Sequence, residues 1–265
     1  MRSGYLSNVL IGTVAFVGAG SRLIPGSDQP GPVLKSAVAF MTGKSAPSGA
    51  AAGEVATLVA NAVDAMGPVV GPLSHPAALG DAFRAYYAYK TRHPAAVTKP
   101  YLYFVDYGLS STTPRGYVFD MQALTIVDGP FMVAHGRGSS STQFGVPSRF
   151  SNESGSEATS LGLYLTQSTY GFHGRTGGQS YASVGLQLLG VSHGFNDNAS
   201  ARGVVAHGAP YVTSRAAGRS EGCPAMEQSR ASDLLPKLAN GAMVFLFAPD
   251  QQWMATDPWL TADLS

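Results

Sequence analysis

The sequence contains almost no cysteine: Cys223 stands alone among 265 residues. An intrachain disulfide is excluded, and so is a cysteine-rich metal site. Charge is scarce as well. Charged residues make up 12% of the chain, against roughly 25% in ordinary globular proteins. The 17 Lys and Arg offset the 16 Asp and Glu to leave a formal charge of +1. So neutral a chain builds no field for holding DNA or RNA, and a general nucleic-acid binder is excluded. The sequence also lacks a P-loop, a GxGxxG fingerprint, an internal repeat and any run of like charge. Its apolar runs stop short of the about 20 residues that cross a bilayer.

What the sequence does contain points to a turn-rich β protein. It has 32 Gly, 12 Tyr and 12 Phe, and 45% of its residues are hydrophobic, enough to build a core rather than remain disordered. The N-terminus differs from the rest. Arg2 precedes an apolar run, Val9–Val17, and the small residues Gly18, Ala19 and Gly20 follow it. A basic start, a short apolar core and a small-residue exit are the pattern of an export signal. Residues 1–20 are therefore expected to be a signal peptide or N-terminal anchor. Export would leave a lone thiol with no intrachain partner in an oxidising compartment, the periplasm.

Residues 21–78 read as a linker with helical parts, around Val33–Met41 and over Ala51–Met66. Ala78–His93 has the best helical period, with Phe83, Tyr86, Tyr87 and Tyr89 as an aromatic stripe and Pro94 as its stop. From Pro100 the period changes to two. Strands are expected at Tyr101–Tyr107, Arg115–Met121, Thr125–His135, Leu161–Thr166, Ser183–Leu189, Gly203–His207 and Ala242–Ala248. Pro224–Asn240 reads as a helix interrupted near Ser232 by Pro236. The expectation is an α+β, mainly β fold over residues 79–250, mostly antiparallel, with 251–265 as a tail.

The stretch with chemistry in it is Arg202–Met226. A strand ends in His207-Gly208, and after eleven intervening residues comes Ser220-Glu221-Gly222-Cys223-Pro224. A thiol nucleophile needs a lowered pKa or a base within reach. Pro224 is a favoured first helical residue, so Cys223 is expected at a helix N-terminus whose dipole favours thiolate. Gly222 bares the backbone, and its N–H with that of Cys223 would form an oxyanion hole. His207 is the candidate base, and Arg219 offers charge for a substrate carboxylate. The bland alternatives are a buried inert thiol and a core histidine. A polar, glycine-containing turn is not where a structural cysteine usually sits.

The residues from His207 to Ala225 resemble the L,D-transpeptidase (YkuD-like) catalytic domain, in a divergent murein L,D-transpeptidase branch. The resemblance rests on His207-Gly208-Ala209, Tyr211 and Gly218-Arg219-Ser220-Glu221-Gly222-Cys223-Pro224-Ala225. It is supported upstream by His135-Gly136-Arg137-Gly138-Ser139, Phe150-Ser151-Asn152, Thr159–Tyr164, Tyr170, His173-Gly174 and Asn196–Arg202. Glu221 stands where ordinary members have histidine, and Pro224-Ala225 replaces their usual tail.

The resemblance implies a β-sandwich catalytic domain behind a short helical N-terminal segment. It implies a periplasmic, cell-wall enzyme acting on peptidoglycan stem peptides, needing no cofactor and no metal, and open to acylation by carbapenems. Membrane attachment would come only through the N-terminus. Cys223 would attack a stem-peptide carbonyl to form a thioester, and an acceptor amine would resolve it into a 3–3 or 1–3 crosslink. His207 would be the base, oriented by the Gly208 carbonyl, with Gly222 and Cys223 as oxyanion donors. Tyr211, Arg219, Ser220, His173, Arg202 and His135 would line the substrate site, Arg202 pairing with Asp197 or with substrate. Glu221 would point away from the thiol, whose ionisation it opposes. Two alternatives stay open: an L,D-carboxypeptidase or endopeptidase with water as acceptor, and a non-catalytic wall-binding domain.

Overall fold

The computed structural model describes residues 48–261. The expected export signal and the helix at Val33–Met41 lie outside the described residues. Two helices come first, α1 (Ser48–Met66) and α2 (Ala78–Arg92). Then follow β1 (Tyr101–Asp106), β2 (Gly116–Asp120), β3 (Thr125–Phe131) and the two-residue β4 (His135–Gly136). The chain continues through β5 (Gly162–Thr176), β6 (Gln179–Gly190), β7 (Val205–Gly208), β8 (Arg219–Ser220) and β9 (Ala225–Met226). It closes with α3 (Gln228–Leu238), β10 (Met243–Phe247) and α4 (Gln251–Thr256). The fold is α+β, mainly β.

Eight strands form one sheet in the order β3-β2-β1-β10-β5-β6-β7-β9, and β4 pairs with β8 in a second. Most neighbours are antiparallel, but β1 with β10, β7 with β9 and β4 with β8 run parallel. β10 (MVFLF) is buried at every position and β1 at five of six. Continuous apolar strands of this kind belong to the covered middle of a sheet. α2 buries the stripe that its period predicts: Phe83 meets Phe119 of β2 edge-on at 5.3 Å. Residues 251–260, read by composition as a tail, fold back onto the core. Trp253 of α4 lies 5.7 Å from both Phe245 and Phe247, and the Trp259 indole donates to the Val191 carbonyl at 2.6 Å.

Two local expectations are corrected. No helix begins at Pro224: Ala225 and Met226 are fully buried and pair as β9 with β7, and α3 starts only at Gln228. Nor is that helix broken near Ser232. It runs unbroken to Leu238 with Pro236 inside its last turn, held by the buried Ala231, Leu234, Leu235 and Leu238.

Candidate active site

The end of β7 presents His207, and β9 lies parallel beside it, pairing His207 with Ala225. Just before β9 the chain turns through Gly222 at φ +121°, a region that favours glycine. A Cβ there would also lie 3.0 Å from the Ala158 carbonyl oxygen. This turn carries Cys223. Ser220 ties it from within: its Oγ donates to the Cys223 carbonyl at 2.7 Å and accepts the Gly222 N–H at 3.2 Å.

The Cys223 thiol is half-buried. Its Sγ accepts the Val205 N–H at 3.5 Å and faces the Gly203 carbonyl at 3.9 Å. Burial pushes the thiol up to about 11, and Glu221 adds to the rise, while the Val205 N–H and Arg202 oppose it. The thiolate expected from a helix dipole therefore has no basis, because no helix starts here. His207 is 3% exposed and its pKa is lowered, first by burial, with the Gly208 carbonyl acting the other way. Its Nδ1 lies 3.0 Å from that carbonyl oxygen. A carbonyl only accepts, so Nδ1 carries the proton and Nε2 keeps a free lone pair. His207 is thus a neutral imidazole set up to take a proton. No hydrogen bond joins it to Cys223 in this resting arrangement.

Both residues line one cavity of about 1070 Å³. His173, Arg202, Tyr211, Arg219 and Ser220 line it too, so seven residues singled out from the sequence meet in one place. Arg219 donates to the Ser140 carbonyl at 3.1 Å. Glu221 is 75% exposed and faces Arg137 at 3.4 Å, on the rim rather than against the sulfur.

Three readings change. His135 lies outside the cavity and is wholly buried. Its Nδ1 is 3.0 Å from both Ser111 Oγ and Arg115 Nη2, and burial holds its pKa down near 3, with Arg115 adding to the effect. It sits in the interior, and its neighbour across the β4–β8 pair, Arg219, is the one that lines the cavity. Arg202 needs no carboxylate. Its guanidinium donates to the carbonyls of Ser151 (2.7 Å) and Ala158 (2.8 Å) and to the hydroxyls of Ser156 and Ser160. Asp197 instead accepts from Asn152 and pairs with His193. The third concerns the oxyanion donors. The Gly222 N–H is occupied by Ser220 Oγ, which leaves the Cys223 N–H as the donor of this turn.

Sequence reasoning missed Phe172 and Tyr181. The Phe172 ring stacks on the His207 imidazole, with centroids 4.1 Å apart and planes 18° apart. It reaches there on the hairpin of β5 and β6, which turns at Gly177-Gly178 (φ +55° and +80°) and lines the cavity from Phe172 to Gly177. Adjacent glycines with positive φ are the signal of a two-residue hairpin turn. Tyr181 packs over Gly174 across that hairpin.

Among the described residues no group of three or more His, Cys, Asp or Glu side chains is placed to hold a metal, and no helix is long and apolar enough to cross a membrane. The family described as the L,D-transpeptidase catalytic domain matches residues 73–247. Among solved structures, an L,D-transpeptidase from Mycobacterium smegmatis is 12% identical, with a TM-score of 0.33 over 56% of this chain and 59% of that one. The match thus spans less than two thirds of that protein's length. No curated protein matches the chain.

Proposed function

The chain belongs to the L,D-transpeptidase catalytic domain family, and from that premise we propose that it crosslinks peptidoglycan stem peptides with Cys223 as nucleophile and His207 as base. The observation that carries this reading is their common cleft, with the His207 Nδ1–H held on the Gly208 carbonyl and Nε2 left as an acceptor. The arrangement follows the logic of a triad with a backbone group in the third role.

In the proposed reaction His207 Nε2 takes the thiol proton as Cys223 Sγ bonds to the carbonyl carbon of a donor stem. The Cys223 N–H receives the developing oxyanion. Collapse breaks the amide, and the terminal D-amino acid departs as an amine with the proton that His207 returns. A thioester remains. The amine of an acceptor stem attacks it, gives a proton to His207 and displaces Sγ, which recovers that proton. One amide is broken and one is made. Expression in a tester strain, beside Cys223→Ala, tests the reading. New crosslinked muropeptides, of 3–3 or 1–3 type, that require Cys223 are expected. Trimmed monomers alone would assign water as acceptor and a carboxypeptidase. The absence of a hydrogen bond between His207 and Cys223 supports a second reading, a wall-binding domain without catalysis; an unchanged profile with wall binding intact would select it. The proposed place of action is the periplasm.

A further inference from the structure

The cleft carries four arginines, Arg137, Arg175, Arg202 and Arg219, against two glutamates, Glu157 and Glu221, in a chain whose overall charge is only +1. Both glutamates are spent on one arginine: Arg137 pairs with Glu157 and faces Glu221. Arg202 is saturated by carbonyls and hydroxyls of residues 151–160. Among the described residues, Arg175 and Arg219 have neither a carboxylate nor a filled set of acceptors. Among the described residues Arg219 has only the Ser140 carbonyl as acceptor, on the wall beside the Cys223 turn. The Arg175 side chain makes no hydrogen bond or ion pair among the described residues and projects from the tip of the β5–β6 hairpin on another wall. A guanidinium presents a fork that matches a carboxylate.

We infer that Arg175 and Arg219 form a carboxylate clamp, which admits stem peptides bearing free carboxylates and disfavours the same peptides when amidated. The inference rests on the proposed transpeptidase reading for the identity of the ligand, and on charge alone for its selectivity. Arg219 holds the carboxylate nearer the scissile carbonyl. Arg175, on the hairpin, takes one farther along the stem. Because the clamp is electrostatic and partly exposed, its effect weakens as salt rises.

The test is direct binding in the Cys223→Ala background, so that no turnover is needed. Synthetic stem peptides with free or amidated carboxylates are titrated calorimetrically against this protein and against its Arg219→Gln, Arg219→Lys and Arg175→Gln derivatives. Charge-assisted pairs predict at least about tenfold tighter binding of the acid form. Arg219→Gln should erase most of that preference and Arg219→Lys should restore part of it. Arg175→Gln should reduce it, and Arg215→Gln, outside the cleft, should leave it intact. The preference should shrink from 50 to 500 mM salt. Equal affinity for acid and amide peptides would overturn the clamp, as would a preference that both Gln variants retain. Acid-selective binding without crosslinks in the cell assay would sink the transpeptidase reading and leave the clamp standing. Crosslinking indifferent to amidation would do the reverse.

Discussion

At Cys223 and His207 burial works against the charged form of each partner. The thiol is pushed up to about 11 and the imidazole is pushed down, so the resting pair is a neutral thiol and a neutral base. In the proposed reaction, proton transfer then waits for the substrate carbonyl, as general-base catalysis requires. Two outcomes follow for pH. Alkylation of Cys223 by iodoacetamide should stay slow at neutral pH and rise with a midpoint near 11; a midpoint below 8 would contradict this. The base is lost when His207 is protonated, and its pKa is depressed. The acid limb of kcat/KM should therefore lie below 6.5, the ordinary imidazole value. Replacing Phe172 with Ala exposes the imidazole, so the limb should move up toward that value, and Phe172→Tyr should keep it low. His207→Gln should lower kcat by about 10²–10⁴. That His207, Gly208 and Cys223 come together was legible in the sequence because they stand in short His-Gly and Gly-Cys-Pro motifs. His135 was not. Its Gly-rich surroundings look like surface, and it is the buried Arg115, twenty residues away in sequence, that makes it part of the interior.

The elements explain how closely the site is packed. Gly208 sits where β7 passes under α3. A Cβ there would come within 2.3 Å of Ser183 Oγ and 2.8 Å of Ala231 Cβ and Gln228 Cα. Gly208→Ala should therefore cost roughly 1–3 kcal/mol in urea unfolding. Activity should fall further than stability, because the carbonyl that orients His207 must shift. The helix α2 was legible from the spacing of its apolar residues, and the central strands β1 and β10 from their unbroken apolar runs. The outer part of the β5–β6 hairpin was not, since its alternating positions are mostly exposed on both faces and bury no stripe. The start of α3 was misread for a related reason. Pro224 suits a helix start locally, but buried Ala225 and Met226 gain more by pairing with β7 than by opening a helix.

Across the whole molecule, the sheet carries the cleft and the helices hold the sheet. The C-terminal turn of chain is part of that support: Trp253 is 2% exposed and packs on β10. Trp253→Ala should destabilise the fold by about 3–5 kcal/mol, read as a lower denaturation midpoint, without changing the pH limbs of the enzyme that stays folded. The account as a whole depends on Cys223 becoming acylated. The most direct test is intact-mass analysis of the protein incubated with a tetrapeptide donor and quenched in acid. It predicts an adduct equal to the donor less its terminal D-amino acid, mapped to Cys223, released by hydroxylamine, absent in Cys223→Ala and slowed in His207→Gln. A folded protein that binds the donor yet never gains that mass would contradict it.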